Sequence, residues 1–172
     1  MRTLNISRSR PSTAALREAA DVLRSGGVVA FPTETSYGLA VDPMNASAVA
    51  RLYAVKARDR NKPLPLIAAS SVQVRRMAHL TGKAAHLAVR HWPGPLTIVL
   101  PLRRAIPALG AAKEAAIRVP GSAAARALAQ AFGGAITSTS ANVSGHEPLY
   151  SGAAVRHVFA GRVRKPDLVL DA

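Results

Sequence analysis

Short apolar runs alternate along the chain with stretches of helical periodicity, and this alternation confines it to a sheet covered by helices. Val28–Phe31, Leu64–Ala69, Leu96–Leu102, Ala115–Val119, Ala135–Ser138 and Asp167–Leu170 read as strands, with an entry strand and loop over 1–11. Leu16, Ala19, Ala20 and Leu23 recur at helical spacing after a cap at Ser12 or Thr13, and Gly26–Gly27 closes that helix. A second helix opens at Asn45 or Ser47 and carries Val49, Leu52 and Tyr53 on one face. Further helices are expected over 72–79, 82–91, 122–132 and 151–159, and Pro93-Gly94-Pro95 is a hard break. The expected fold is α/β: a single domain over 1–172, with a twisted mixed open sheet flanked by helices. Ala115–Val119, the helix after it and Ala135–Ser138 read as a βαβ unit, which would make part of the sheet parallel.

At 172 residues the chain suits one domain with a sizeable core. Its 49% hydrophobic content excludes a disordered tail, and with aromatics at 4% the core must be built from Ala, Val, Leu and Ile. The longest apolar runs, Gly26–Phe31 and Leu96–Leu102, fall far short of the roughly 20 residues that span a bilayer. No apolar stretch follows the charged N-terminus, so neither a signal peptide nor a membrane partner is expected. The absence of Cys excludes disulfides, thiolate zinc sites and Cys nucleophiles, and fits a cytoplasmic protein.

A formal charge of +14 favours polyanionic partners: nucleic acid, nucleotides or an anionic membrane. The cations are spread along the chain, with doublets at Arg75–Arg76 and Arg103–Arg104. A solvated basic surface explains charge of this kind equally well. No phosphate-loop, dinucleotide-binding or zinc-protease motif occurs. His86 and His91 are five apart and split across a helix, so no metal site is expected among the five His.

Three segments concentrate polar chemistry at strand ends, where open α/β sheets bind ligands. Phe31–Gly38 packs three hydroxyls and the Glu34 carboxylate into one loop. Lys56–Pro63 holds four cations within seven residues, the density a triphosphate needs. Ser138–Gly145 follows a buried run with small hydroxyl residues and Asn142, which allow close backbone approach to phosphate or base. Taken singly, each also reads as an ordinary turn or solvated loop; together they favour a nucleotide site. Arg118 stands in the apolar run 116–120 and needs a partner, either an internal acid such as Glu34 or Asp42 or a ligand carboxylate.

Phe-Pro-Thr-Glu-Thr-Ser-Tyr-Gly-Leu at 31–39, Lys-x-Arg-x-x-x-Lys-Pro at 56–63, Trp-Pro-Gly-Pro-Leu-Thr at 92–97, Ile-Arg-Val-Pro at 117–120 and Ser-Ala-Asn-Val-Ser-Gly at 140–145 occur in this order. Together they resemble the YrdC-like threonylcarbamoyl-AMP synthases over roughly residues 12 to 170. That resemblance implies an enzyme, a nucleotidyltransferase. It would form threonylcarbamoyl-AMP and pyrophosphate from L-threonine, bicarbonate and Mg²⁺-bound ATP, for N6-threonylcarbamoyladenosine in tRNA. It implies Thr35, Arg118 and Ser138 at threonine, and Lys56, Arg58, Lys62, Ser140 and Asn142 at ATP, with Lys56 and Arg58 catalytic. It also implies RNA or tRNA on a basic concave face and a tRNA threonylcarbamoyltransferase machinery as partner. Ile67 stands where longer members carry a His just after the Lys-Pro segment. Relatives continue past Asp-Leu-Val-Leu-Asp with a Ser-Thr-rich strand and an Arg-Pro-Gly-like element, so closure over the nucleotide is expected to need another wall or a partner.

Two other functions compete. A non-catalytic RNA-binding module would use the +14 charge alone. A carbamoyl-adenylate step with a different acceptor, as in hydrogenase maturation, would come with acylphosphatase and zinc-finger segments, and neither motif occurs in this sequence.

Overall fold

A computed structural model describes residues 1–172. The first half runs β1 (Arg2–Asn5), α1 (Thr13–Arg24), β2 (Val29–Pro32), β3 (Tyr37–Ala40), α2 (Ala46–Lys56), β4 (Leu66–Ile67), α3 (Ser71–Met77) and α4 (Gly82–His91). The second half runs β5 (Ile98–Pro101), a 3-10 turn (Pro107–Leu109), β6 (Glu114–Arg118), α5 (Ala123–Phe132), β7 (Ile136–Thr137), β8 (Thr139–Ser140), α6 (Gly152–Phe159) and β9 (Leu168–Asp171). Side chains of Asn45, Ser70, Ser122 and Ser151 cap α2, α3, α5 and α6 by accepting a first-turn N–H. Ser12 is the N-cap of α1 but makes no side-chain bond. No helix is long and apolar enough to cross a membrane.

The α/β class with mixed, open sheets holds, and the strands divide between two of them. One has the order β1-β9-β2-β3-β8, the other β5-β6-β4-β7. Only Ser138 separates β7 from β8, so the chain passes from sheet to sheet at that residue. Thr137 stitches the junction: its N–H donates to Val41 O at 3.2 Å, and its hydroxyl accepts from Val41 N at 2.9 Å.

Parallel pairing is present in β1/β9, β2/β9 and β4/β6. The expected βαβ unit is not. β4 lies between β6 and β7, parallel to the first and antiparallel to the second. The reason is that β4 inserts between β6 and β7, which run opposite ways, while α5 lies on Ile67 and Ile136 of this sheet and against α1. On α5, Ala124, Ala125, Leu128 and Ala129 form one core with Leu16, Ala19 and Leu23. Small residues let the two helices approach closely.

Three strands differ from the sequence reading, one of them β8, which lies in the 138–145 segment expected as a turn. Leu64–Ala69 shortens to Leu66–Ile67, since Pro63 and Pro65 have no N–H to donate to a ladder. The loop expected over 32–38 shrinks to 33–36, and Tyr37–Ala40 is a wholly buried strand. Gly38 allows this pairing: a Cβ there would sit 2.9 Å from the Phe31 ring. The break at 93–95 is real, and Gly94 N–H donates to Val119 O at 2.9 Å, holding the turn beside Arg118.

Candidate active site

The β2–β3 hairpin loop is organised by one buried hydroxyl. Thr33 Oγ1 accepts from the N–H groups of Thr35 and Ser36 at 3.1 and 3.2 Å and donates to Ser36 O at 2.6 Å. It also lies 3.0 Å from Thr35 Oγ1. Asx-type turns of this kind pin the backbone locally. Thr35 is thereby held exposed at the hairpin tip, at the end of the first sheet.

The sheet junction brings the remaining polar groups to this tip. Gly38 faces Ser140 across the β3/β8 ladder. Arg118 ends β6 in register with Ile67 of β4, which is antiparallel to β7. Thr35, Tyr37, Gly38, Arg118, Ser138 and Ser140 therefore line one open cleft of about 190 Å³. That is below the roughly 300 Å³ at which pockets for drug-sized ligands begin, so it suits one small polar ligand. Four sequence-predicted residues, Thr35, Arg118, Ser138 and Ser140, meet here. Ile67, the ladder partner of Arg118, is 1% exposed and packs in one core with α1 and α5.

Lys56 behaves differently from a loop cation. It is the last residue of α2 and only 1% exposed. Its ammonium donates to Ser140 O, to Asn142 O at 2.8 Å and to Asn142 Oδ1 at 3.0 Å. A lysine has three donors, and all three are used. Ser140 Oγ donates to the same Oδ1 at 2.6 Å, Asn142 Nδ2 donates to His146 O, and Ser144 N–H donates to Lys56 O at 2.8 Å. Lys56, Ser140 and Asn142 thus form one network tying α2 to the 140–146 loop. Burial, then the Arg58 charge, lowers the Lys56 pKa to about 8. The charge expected to meet phosphate is turned into the protein.

The chain leaves α2 through Ala57, a left-handed residue at φ 48°. Such a C-cap points the following residues away from the helix axis. Arg58 is half-buried and returns to its own loop, donating to Lys62 O at 3.4 Å and Pro63 O at 3.2 Å. Asp59 shapes this turn by accepting from Asn61 N–H at 2.9 Å, and Tyr53 O–H donates to Lys62 O at 2.9 Å. Arg58 and the exposed Lys62 do not line the 190 Å³ cleft.

Of the two internal acids open to Arg118, Glu34 is the one it pairs with: Nη1 and Oε1 are 3.0 Å apart. As an ordinary turn, the 31–38 segment allows a capping role to Thr33 or Thr35, and the structure gives it to Thr33.

A family model described as "Telomere recombination", covering the Sua5, YciO and YrdC proteins, matches residues 21–172. A threonylcarbamoyl-AMP synthase of Halorhodospira halophila is 48% identical over 151 residues, 86% of this chain and 79% of that protein. The chain belongs to the YrdC-like threonylcarbamoyl-AMP synthase family. P. abyssi Sua5, solved in complex with L-threonine, superposes at a TM-score of 0.90 with 35% identity, over 100% of this chain and 50% of its own. This chain thus spans half the length of that Sua5. E. coli YciO shares the fold, with a TM-score of 0.86 at 22% identity over 99% of this chain and 84% of its own. Family membership makes the chain a transferase.

Proposed function

We propose that this transferase is a nucleotidyltransferase, an L-threonylcarbamoyladenylate synthase serving N6-threonylcarbamoyladenosine formation in tRNA. The observation that carries this reading is the junction cleft, where Thr35, Arg118, Ser138 and Ser140 converge in a member of this family. Threonine's carboxylate is assigned to the Arg118 guanidinium, and its polar groups to the hydroxyls of Thr35 and Ser138. Bicarbonate adds to the threonine nitrogen with loss of water, giving a carbamate. A carbamate oxygen attacks the α-phosphorus of ATP; that P–O bond forms as the α–β bridge breaks and pyrophosphate leaves. Both reactants are anions, so the chain must supply fixed positive charge and alignment more than a proton-transfer base.

Arg58 and Lys62 are assigned to the triphosphate, which their loop meets after releasing its own carbonyl contacts. Ser140 and Asn142 are assigned to the adenylate side. Lys56 acts there through the loop it anchors. No group of three His, Cys, Asp or Glu side chains stands close enough to hold a metal ion, which fits Mg²⁺ carried in on the phosphate oxygens of ATP. Bound there, Mg²⁺ would neutralise phosphate charge. The adenylate is consumed by a transferase machinery acting on tRNA, and exposed cations such as Arg60, Arg162 and Arg164 suit contact with the tRNA backbone. The test is pyrophosphate release with ATP, bicarbonate and L-threonine. Release that requires L-threonine and bicarbonate together is expected; equal release without threonine excludes the assignment.

A further inference from the structure

Glu34 has no role in the contacts assigned above, yet it is fixed on both sides. Oε1 lies 3.0 Å from Arg118 Nη1. Oε2 accepts the backbone N–H of Ser122 at 3.2 Å, at the start of α5. Ser122 is itself locked: its hydroxyl accepts from Ala125 N–H and lies 3.2 Å from Pro32 O, the last residue of β2. The Glu34 side chain lies over Gly121, where a Cβ would be 3.7 Å from Glu34 Cγ. Hairpin loop, helix α5 and strand β6 are therefore joined through one carboxylate.

The consequence lies on the other edge of Arg118. Its side chain is 15% exposed and lines the cleft, and the guanidinium is held by this ion pair alone, with no hydrogen bond to the protein. Glu34 takes Nη1 and leaves the Nε–Nη2 edge, the edge whose paired N–H groups match a carboxylate. The helix N-terminus offsets the Glu34 charge through Ser122 N–H, so the arginine keeps net attraction for a second anion.

We propose that Glu34 is the positioning residue of the amino-acid subsite: it clamps Arg118 by one edge and presents the other to the substrate carboxylate. This rests on the threonine reading of the cleft. A long, flexible arginine held in this way before binding need not be ordered by the ligand.

The test measures L-threonine binding by calorimetry, and steady-state constants for L-threonine and ATP. It compares the full chain with Glu34→Ala, Glu34→Gln, Arg118→Ala and the Glu34→Ala/Arg118→Ala pair. Glu34→Ala is expected to raise the Kd and KM for L-threonine about tenfold, with kcat and the ATP KM within about twofold. Glu34→Gln should fall between, since its amide can serve Arg118 or Ser122 N–H but not both. With Arg118 already removed, losing Glu34 should cost less than about twofold more. Should Glu34→Ala not fold, Glu34→Gln completes the same cycle. An unchanged threonine KM, equal losses in both backgrounds, or a parallel rise in the KM values for threonine and ATP would each overturn the proposal. If the unmodified chain binds no L-threonine, the substrate reading falls first and this inference with it.

Discussion

The two cation-bearing ends of the 56–62 segment contrast sharply. Lys56 is buried and gives all three donors to the 140–142 loop. Two residues later, Arg58 is half-buried and Lys62 exposed, and the Arg58 guanidinium touches only carbonyls of its own loop. One left-handed residue, Ala57, separates them. Identical charge thus serves two purposes. Inside, it welds the 140–142 loop to a helix; outside, it remains available to an anion that displaces weak, long hydrogen bonds. Arg118 combines the two: Nη1 pairs with Glu34, and the side chain lines the cleft.

The largest effect should come from breaking the inner end. Lys56→Ala strips the carbonyls of Ser140 and Asn142 of their donor and opens a buried space, which should cost about 3 kcal/mol or more. For a chain of this size that is a fall in Tm of roughly 6–12 °C, read by thermal unfolding, together with loss of activity. A variant that kept its Tm and lost only ATP use would make Lys56 a phosphate ligand and erase the contrast.

At the outer end, Arg58→Ala should leave Tm nearly unchanged and raise the ATP KM about tenfold, the worth of one charge-assisted contact of roughly 1.5 kcal/mol. Replacing Arg103 and Arg104 together by Ala should change that KM less than about twofold. Arg103 donates to Arg75 O at 2.8 Å, and neither residue lines the cleft. Equal losses at both places would indicate diffuse attraction by the +14 charge instead of a phosphate site.

The smallest effect concerns pH. Lys56 gives up its proton at about 8 in the folded chain, against 10.5 in the unfolded one. Deprotonation removes one of its three donors, so activity should decline several-fold as pH rises through about 8. Stability moves the other way. Between pH 8 and 10.5 the unfolded lysine binds the proton that the folded one has released, so this group's contribution to stability increases with pH. A flat activity profile from pH 7 to 9.5, measured with saturating substrates, would show that the loop does not depend on the ammonium.

Much of this molecule is legible in one dimension. Apolar runs between glycines and prolines mark most strands, and spaced Leu and Ala mark α1 and α5, because burial periodicity is local. The same holds for motif content: the hydroxyl loop, the Lys-x-Arg segment and Ser-Ala-Asn stand out as residue types. Tertiary structure alone decided which of these residues meet. The antiparallel return of β7 against β4 brings Ser138 beside Arg118, and nothing in either segment specifies that partner. Tyr37–Ala40 became a strand because Gly38 can lie on Phe31, a contact between neighbouring strands. Lys56 and Arg58 look equivalent in sequence, and only packing sets one inside and one outside. Charge and periodicity are properties of a residue and its neighbours along the chain, whereas burial, pairing and the free edge of an arginine depend on what the rest of the chain places against it.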